Sequence, residues 1–189
     1  MIFGVTGTNG AGKGTVVEYL VETRGFQYFS AREFILEEIR RRKLPEDRSS
    51  LRMVANDLRQ QHGPAYVIES LFNKAAEDGG DVIIESIRAI GEAQFLQSVG
   101  AYILAVDADK RLRYERITER ASITDRVTFE EFVEQEDREM NALEPWDMNV
   151  FGVMKMADFV LTNSGTREEL HAQIDAVLES VREKERHAD

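Results

Sequence analysis

Gly7-Thr8-Asn9-Gly10-Ala11-Gly12-Lys13-Gly14-Thr15 decides the reading of this chain. An apolar run over residues 1–6 precedes it. A helical pattern over residues 13–24 follows, with Val16, Val17, Leu20 and Val21 on one face. A strand that turns through glycines into a helix is the context in which such a loop wraps phosphate. Gly7, Gly10 and Gly12 let the backbone bend sharply and come close to an anion. Successive N–H groups, Thr8, Asn9 and Ala11 among them, then point inward, and the helix N-terminus adds partial positive charge. Lys13 is placed to reach the β- and γ-phosphates of a nucleotide, and Thr15 offers a hydroxyl beside Mg²⁺. The general pattern has Ser or Thr directly after the lysine; here Gly14 stands there, with Thr15 next. A glycine-rich turn without a ligand is the plainer alternative, and it gives no reason for the strand before and the helix after.

Outward from the loop, short apolar runs alternate with helical patterns. Strands are predicted over residues 1–6, 26–29, 81–85, 101–106 and 158–162, with helical segments between them. Strands spaced by helices imply an α/β fold of three layers around a five-stranded parallel sheet. Three helices are expected between the second and third strands, over 31–43, 50–62 and 64–77. Two more, over 109–120 and 129–140, are expected between the fourth and fifth, joined by a polar link. The last helix opens on the capping box Thr166 and Glu169 and buries Leu170, Ile174, Val177, Leu178 and Val181. Its charged tail after Arg182 is expected to fray. The whole reads as one domain over 1–189, with a core of 1–29, 79–120 and 141–189, an insert over 30–78 and a lid over 121–140.

Acidic residues outnumber basic ones by 35 to 24, for a formal net charge of −11. Bulk charge therefore opposes a nucleic-acid partner, while local arginine clusters can still hold a small anion. There is no cysteine, which excludes disulfides and thiolate chemistry. No apolar run is long enough to span a bilayer and no basic leader is visible, so a cytoplasmic protein with no membrane partner is expected. The sequence says nothing of oligomeric state.

The GxxGxGKGT loop resembles that of the adenylate kinase branch of nucleoside monophosphate kinases. The insert resembles that family's acceptor-binding region, and the segment between the fourth and fifth strands resembles its lid. The resemblance implies the P-loop kinase fold in the family's strand order, ATP with Mg²⁺ on the loop, and a small phosphate-bearing acceptor over the insert. Glu85-Ser86-Ile87-Arg88 resembles a shortened form of the segment that ends the family's third strand. Glu85 there holds Mg²⁺ through water and Arg88 grips the acceptor phosphate; a solvated strand end is the alternative. Ser30, Arg32 and Glu33 stand where the family lines its acceptor site, although Ser30 with Glu33 also makes a capping box. Arg116, Arg120 and Arg126 resemble the arginines that clamp ATP and the moving phosphoryl group, with Arg138 a further candidate. Asn163 lies where the family borders the adenine.

Residues 157–166 with Glu169 and Leu170 also resemble dephospho-coenzyme A kinase. They resemble, too, a group of archaeal adenylate-kinase-related proteins, as do Ile87-Arg88 and Asp137-Arg138-Glu139. A hydroxyl acceptor needs a carboxylate to take its proton, whereas a phosphate acceptor does not. Dephospho-coenzyme A kinases carry an Asp after the second strand. Here Phe29-Ser30-Ala31 stands there and Glu33 is the one substitute. A nucleoside monophosphate therefore ranks first as acceptor and dephospho-coenzyme A second. A non-catalytic nucleotide-binding regulator is the reading from another class.

Overall fold

The computed structural model describes residues 1–120, 127–140 and 142–188. Five parallel strands form one sheet in the order β2-β3-β1-β4-β5. These are β1 (Ile2–Gly7), β2 (Gln27–Ser30), β3 (Val82–Glu85), β4 (Tyr102–Asp107) and β5 (Phe159–Thr162). All strands run the same way, and helices connect each strand to the next in the chain. The fold is the expected α/β P-loop kinase fold. Among the described residues no helix is long and apolar enough to cross a membrane.

Strand residues point alternately to the two faces, and each face has its own core. On one side Phe3, Val5, Ile83, Leu104, Val106 and Leu161 pack against helices α1 (Lys13–Arg24) and α9 (Arg167–Ala188). On the other, Val82, Ile84 and Ile103 meet α2 (Ala31–Arg41), α3 (Arg48–His62), α4 (Tyr66–Asp78) and α5 (Ile90–Ser98). Gly4 faces this second side so closely that a Cβ would lie 2.4 Å from Leu96 Cδ1. Helices α6 (Lys110–Arg120) and α7 (Phe129–Met140) precede the short α8 (Val150–Lys155).

Two expectations need correction. The sequence reading has no counterpart of α8, a six-residue helix that contains Gly152 and is capped by Asn149 accepting the Gly152 N–H at 2.8 Å. Helix α9 does not fray after Arg182 but runs to Ala188. Its tail of Arg, Glu and Lys is rich in good helix formers, and Arg186 Nε donates to Arg182 O at 3.2 Å. The capping box that starts α9 is present, with the Thr166 N–H on Glu169 Oε2 at 2.8 Å and the Glu169 N–H on Thr166 Oγ1 at 3.2 Å.

Candidate active site

The loop after β1 closes one end of a cavity of about 640 Å³. Gly12 caps α1 in the left-handed region, with φ of 97°, and its N-terminal turn starts with Thr15 N–H on Gly12 O at 3.0 Å. A Cβ on Gly12 would sit 2.0 Å from Asn163 Nδ2, and one on Gly10 would sit 2.4 Å from Arg113 O. Both positions are therefore closed to any side chain. Gly14 differs: no atom lies within 4 Å of where its Cβ would be, so the departure from the usual pattern opens onto the cavity.

Asn9, Gly10, Gly12, Lys13, Gly14 and Thr15 line the cavity. Gly7, Thr8 and Ala11 stand behind it as support. Lys13 Nζ donates to Gly7 O at 3.0 Å and Thr8 O at 2.8 Å. Removal of that ammonium from water lowers its pKa to about 8, and Arg88 pushes the same way, while Glu85 and Glu139 oppose it. Thr8 Oγ1 donates to Asp107 Oδ1 at 2.7 Å, tying the loop to the end of β4.

Asn163 does not line the cavity. It is buried beneath the loop, its Nδ2 donating to Ala11 O at 2.8 Å, and its own carbonyl accepts from Arg116 Nη1 at 2.9 Å. Arg116 and Arg120, both from α6, line the cavity beside the loop. Arg126 lies outside the described residues. Arg138 is exposed and pairs with Glu134 at 3.7 Å, away from the cavity; Glu139, one helical step on, faces inward.

More of the wall comes from β3 and the helices after β2. Glu85 ends β3 in register with Val5 and Ser30 and lines the cavity. Its Oε2 accepts the Tyr28 hydroxyl at 2.8 Å, and burial pushes that phenol up to about 12. Ser86 follows at φ of 77°, an uncommon conformation for a residue with a side chain, fixed by its N–H on Val5 O at 3.0 Å. Arg32 lines the cavity from the first turn of α2. Ser30 caps that helix by accepting the Glu33 N–H at 3.2 Å, and Glu33 points into solvent, 4.0 Å from Arg40. The structure thus uses Ser30 and Glu33 at the helix start and leaves both out of the cavity wall.

Arg88 is held from several directions. Its own N–H and that of Ala89 donate to Glu92 Oε2 at 2.9 and 3.0 Å. Glu92 is fully buried, and its Oε1 accepts Arg59 Nε at 2.8 Å, so a buried ion pair anchors the turn that carries Arg88. Arg88 Nη1 donates to Glu139 Oε2 at 2.7 Å, and Arg48 Nε and Nη2 donate to Glu139 Oε1 at 2.8 and 2.6 Å. Burial pushes the Glu139 carboxyl up, but Arg88 and Arg48 outweigh it and hold the group below the usual carboxylate range.

Arg48 and Glu92 escaped the sequence reading, as did the buried pair Arg113–Glu136, which joins α6 to α7 while Arg113 Nη1 also donates to Asn9 O at 3.4 Å. Ser86 and Glu139 stood in the resembling stretches 85–88 and 137–139 without a site role of their own, and Arg48 follows Asp47, which caps α3 by accepting the Ser50 N–H.

Among the described residues no group of three or more His, Asp or Glu side chains forms a metal cage. Two of the oxygen donors that line the cavity, the Thr15 hydroxyl and the Glu85 carboxylate, fit an ion such as Mg²⁺, which takes few protein ligands and completes its shell with phosphate and water.

A family profile described as an AAA domain matches residues 4–143. A UPF0200 protein of Thermococcus kodakarensis is 31% identical over 190 residues, covering 96% of this chain and 98% of its own. A UPF0200 protein of Hyperthermus butylicus is 29% identical over 180 residues, covering 94% and 93%. Among solved structures, shikimate kinase from Bacteroides thetaiotaomicron is 13% identical with a TM-score of 0.57, over 96% of this chain and 98% of its own. Dephospho-CoA kinase from Campylobacter jejuni is 16% identical with a TM-score of 0.52, over 97% and 98%. At those identities the likeness is one of fold.

Proposed function

The chain belongs to the AAA-domain family and, separately, to the UPF0200 proteins, and from that premise we propose that it transfers the γ-phosphoryl group of ATP to a nucleoside monophosphate. The observation that carries the reading is a single cavity that brings the glycine loop and Lys13 together with arginines from several elements. Arg116 and Arg120 come from α6, Arg32 from α2, Arg48 from α3 and Arg88 from the turn after β3. Phosphoryl transfer asks for this arrangement, because most of its catalysis is positioning and neutralisation of charge spread over phosphate oxygens.

In this reading the loop amides and Lys13 grip the β- and γ-phosphates, Arg116 and Arg120 flank them, and Arg88 with Arg32 orients the acceptor phosphate. Arg126, which lies outside the described residues, is assigned to the first group on the family resemblance. Thr15 and Glu85 would hold Mg²⁺, which would supply positive charge against the phosphates. No base is required, since the acceptor oxygen is already anionic. The carboxylates support this. Glu33 stands outside the cavity, and Glu139 is bonded to two arginines and held ionised below the ordinary range, which makes it a poor proton acceptor.

A hydroxyl acceptor, in a reaction like that of dephospho-CoA kinase, is the second reading; Glu85, a carboxylate at the cavity wall, favours it. A small-molecule role in the cytoplasm goes with either. The test is a coupled ADP-release screen across ribo- and deoxynucleoside monophosphates and dephospho-CoA. ADP release that depends on a monophosphate supports the first reading. Release only with dephospho-CoA supports the second. Binding of ATP with no acceptor-dependent release points to a nucleotide-binding regulator and defeats both. Lys13→Ala is expected to abolish transfer while the melting temperature stays near that of the parent.

A further inference from the structure

The cavity carries a carboxylate where the proposed reaction has no use for one. Glu139 reaches in from α7 to two arginines carried by different elements, Arg48 in the first turn of α3 and Arg88 after β3. Both of its oxygens are engaged, Oε1 by the Nε and Nη2 of Arg48 and Oε2 by Nη1 of Arg88. Its side chain is 12% exposed, against 28% for Arg48 and 24% for Arg88, so it is the most enclosed of the three. A carboxylate gripped from two sides by planar guanidinium groups presents them with what a bound oxyanion would present.

We propose that Glu139 is a resident anion in the acceptor subsite, and that it sets the charge an acceptor must carry by yielding to a phosphate dianion and holding against a carboxylate. This rests on the reading above in assigning Arg88, and with it Arg48, to the acceptor. An incoming carboxylate offers two oxygens and one charge, the same as Glu139, so exchange brings it no new interaction and costs it the freedom it had in solution. A neutral group would leave two arginines without a counter-charge in a partly buried site. A phosphate monoester brings three acceptor oxygens and a charge of about −1.5 to −2 at neutral pH, so it satisfies more guanidinium N–H groups than Glu139 does. Selectivity then comes from what the site refuses as much as from what it attracts. Glu139 sits one residue before the end of α7, so its release needs only the last turn of that helix to shift.

The experiment uses the full chain saturated with Mg²⁺ and a non-hydrolysable ATP analogue, which occupies the loop. Inorganic phosphate and acetate are then titrated by calorimetry into the parent, Glu139→Gln and Glu139→Asp. The parent binds phosphate and not acetate. Glu139→Gln, with the competing charge removed, binds phosphate about tenfold more tightly, as expected when a competitor that occupied the site most of the time is gone, and now binds acetate measurably. Glu139→Asp keeps the charge and keeps the parent's preference, which separates competition from any loss of folding in the glutamine variant. Arg48→Gln weakens phosphate in every background, which assigns the binding to this subsite; phosphate binding indifferent to Arg48→Gln overturns the inference. So does unchanged or weaker phosphate binding by a folded Glu139→Gln, since Glu139 would then be a brace that aims Arg88. A chain that prefers phosphate in this way yet releases no ADP with any monophosphate defeats the proposed reaction and leaves the role of Glu139 standing.

Discussion

Replacing Arg59 with Met tests whether the buried ion pair underwrites both the fold and the pose of Arg88. The Arg59 and Glu92 side chains are 1% and 0% exposed, with N and O 2.8 Å apart. Methionine fills most of the arginine stem but leaves the Glu92 carboxylate in the interior without a cation. Removing one partner of a buried pair costs about 3–5 kcal/mol. In a domain of this size each kcal/mol lowers the melting temperature by roughly 2–4 °C, so the expected fall is roughly 6–20 °C. Glu92→Leu should fall further, because it also strips the Arg88 and Ala89 amides of their acceptor, each such bond to a charged group contributing about 1.5–3 kcal/mol. The double variant removes both charges together and should be less damaged than the sum of the two singles by about 0.5–3 kcal/mol. Thermal denaturation followed by circular dichroism measures all three, and the acceptor KM of Arg59→Met should rise because the turn bearing Arg88 loosens. A melting temperature for Arg59→Met within about 2 °C of the parent would refute the reasoning.

The lowered pKa of Lys13 makes a pH prediction. The free protein needs its ammonium charged to bind a triphosphate, and that charge is lost as pH rises through about 8, so kcat/KM for ATP should fall above pH 8. Lys13→Arg should flatten that alkaline limb even if its overall rate is low, because guanidinium stays protonated there. Stability runs the other way: a lysine whose folded pKa is depressed binds fewer protons folded than unfolded above pH 8, so its unfavourable contribution is relieved as pH rises towards 10.5. Gly12→Ala should abolish nucleotide binding, since its Cβ would sit 2.0 Å from Asn163 Nδ2 at a φ of 97°, whereas Gly14→Ser, with no atom within 4 Å of its Cβ, should bind ATP within a few-fold of the parent. Equilibrium titration with a fluorescent ATP analogue reads both, and equal binding by the two variants would contradict the loop geometry.

The parts legible in the sequence are those whose determinants are neighbours along the chain. The glycines, Lys13 and Thr15 stand together, so strand, turn and helix could be read from one segment, and the capping box of Thr166 and Glu169 appears as written. The arginine site was half legible. Arg88 stands three residues after Glu85, but its partners Arg48 and Glu139 come from α3 and α7, and no local pattern joins them. On α7 the difference between Arg138 and Glu139 is a single helical step of about 100°, which decides whether a side chain meets solvent or the cavity. Glu33 shows the opposite case, a residue with two sound readings in which the helix cap was the one the structure used. Ser86 carried no signal, because a serine in a left-handed conformation is imposed by its surroundings.

The brace between Asn163 and Ala11 spans 152 positions of the chain. During synthesis the glycine turn leaves the ribosome well before Asn163, the residue after β5 that buttresses it, and β4 with Asp107 emerges between the two. Nucleotide affinity is therefore a property that a nascent chain acquires late. ATP added to a translating mixture should protect the finished polypeptide from proteolysis and leave chains stopped before β5 as vulnerable as before.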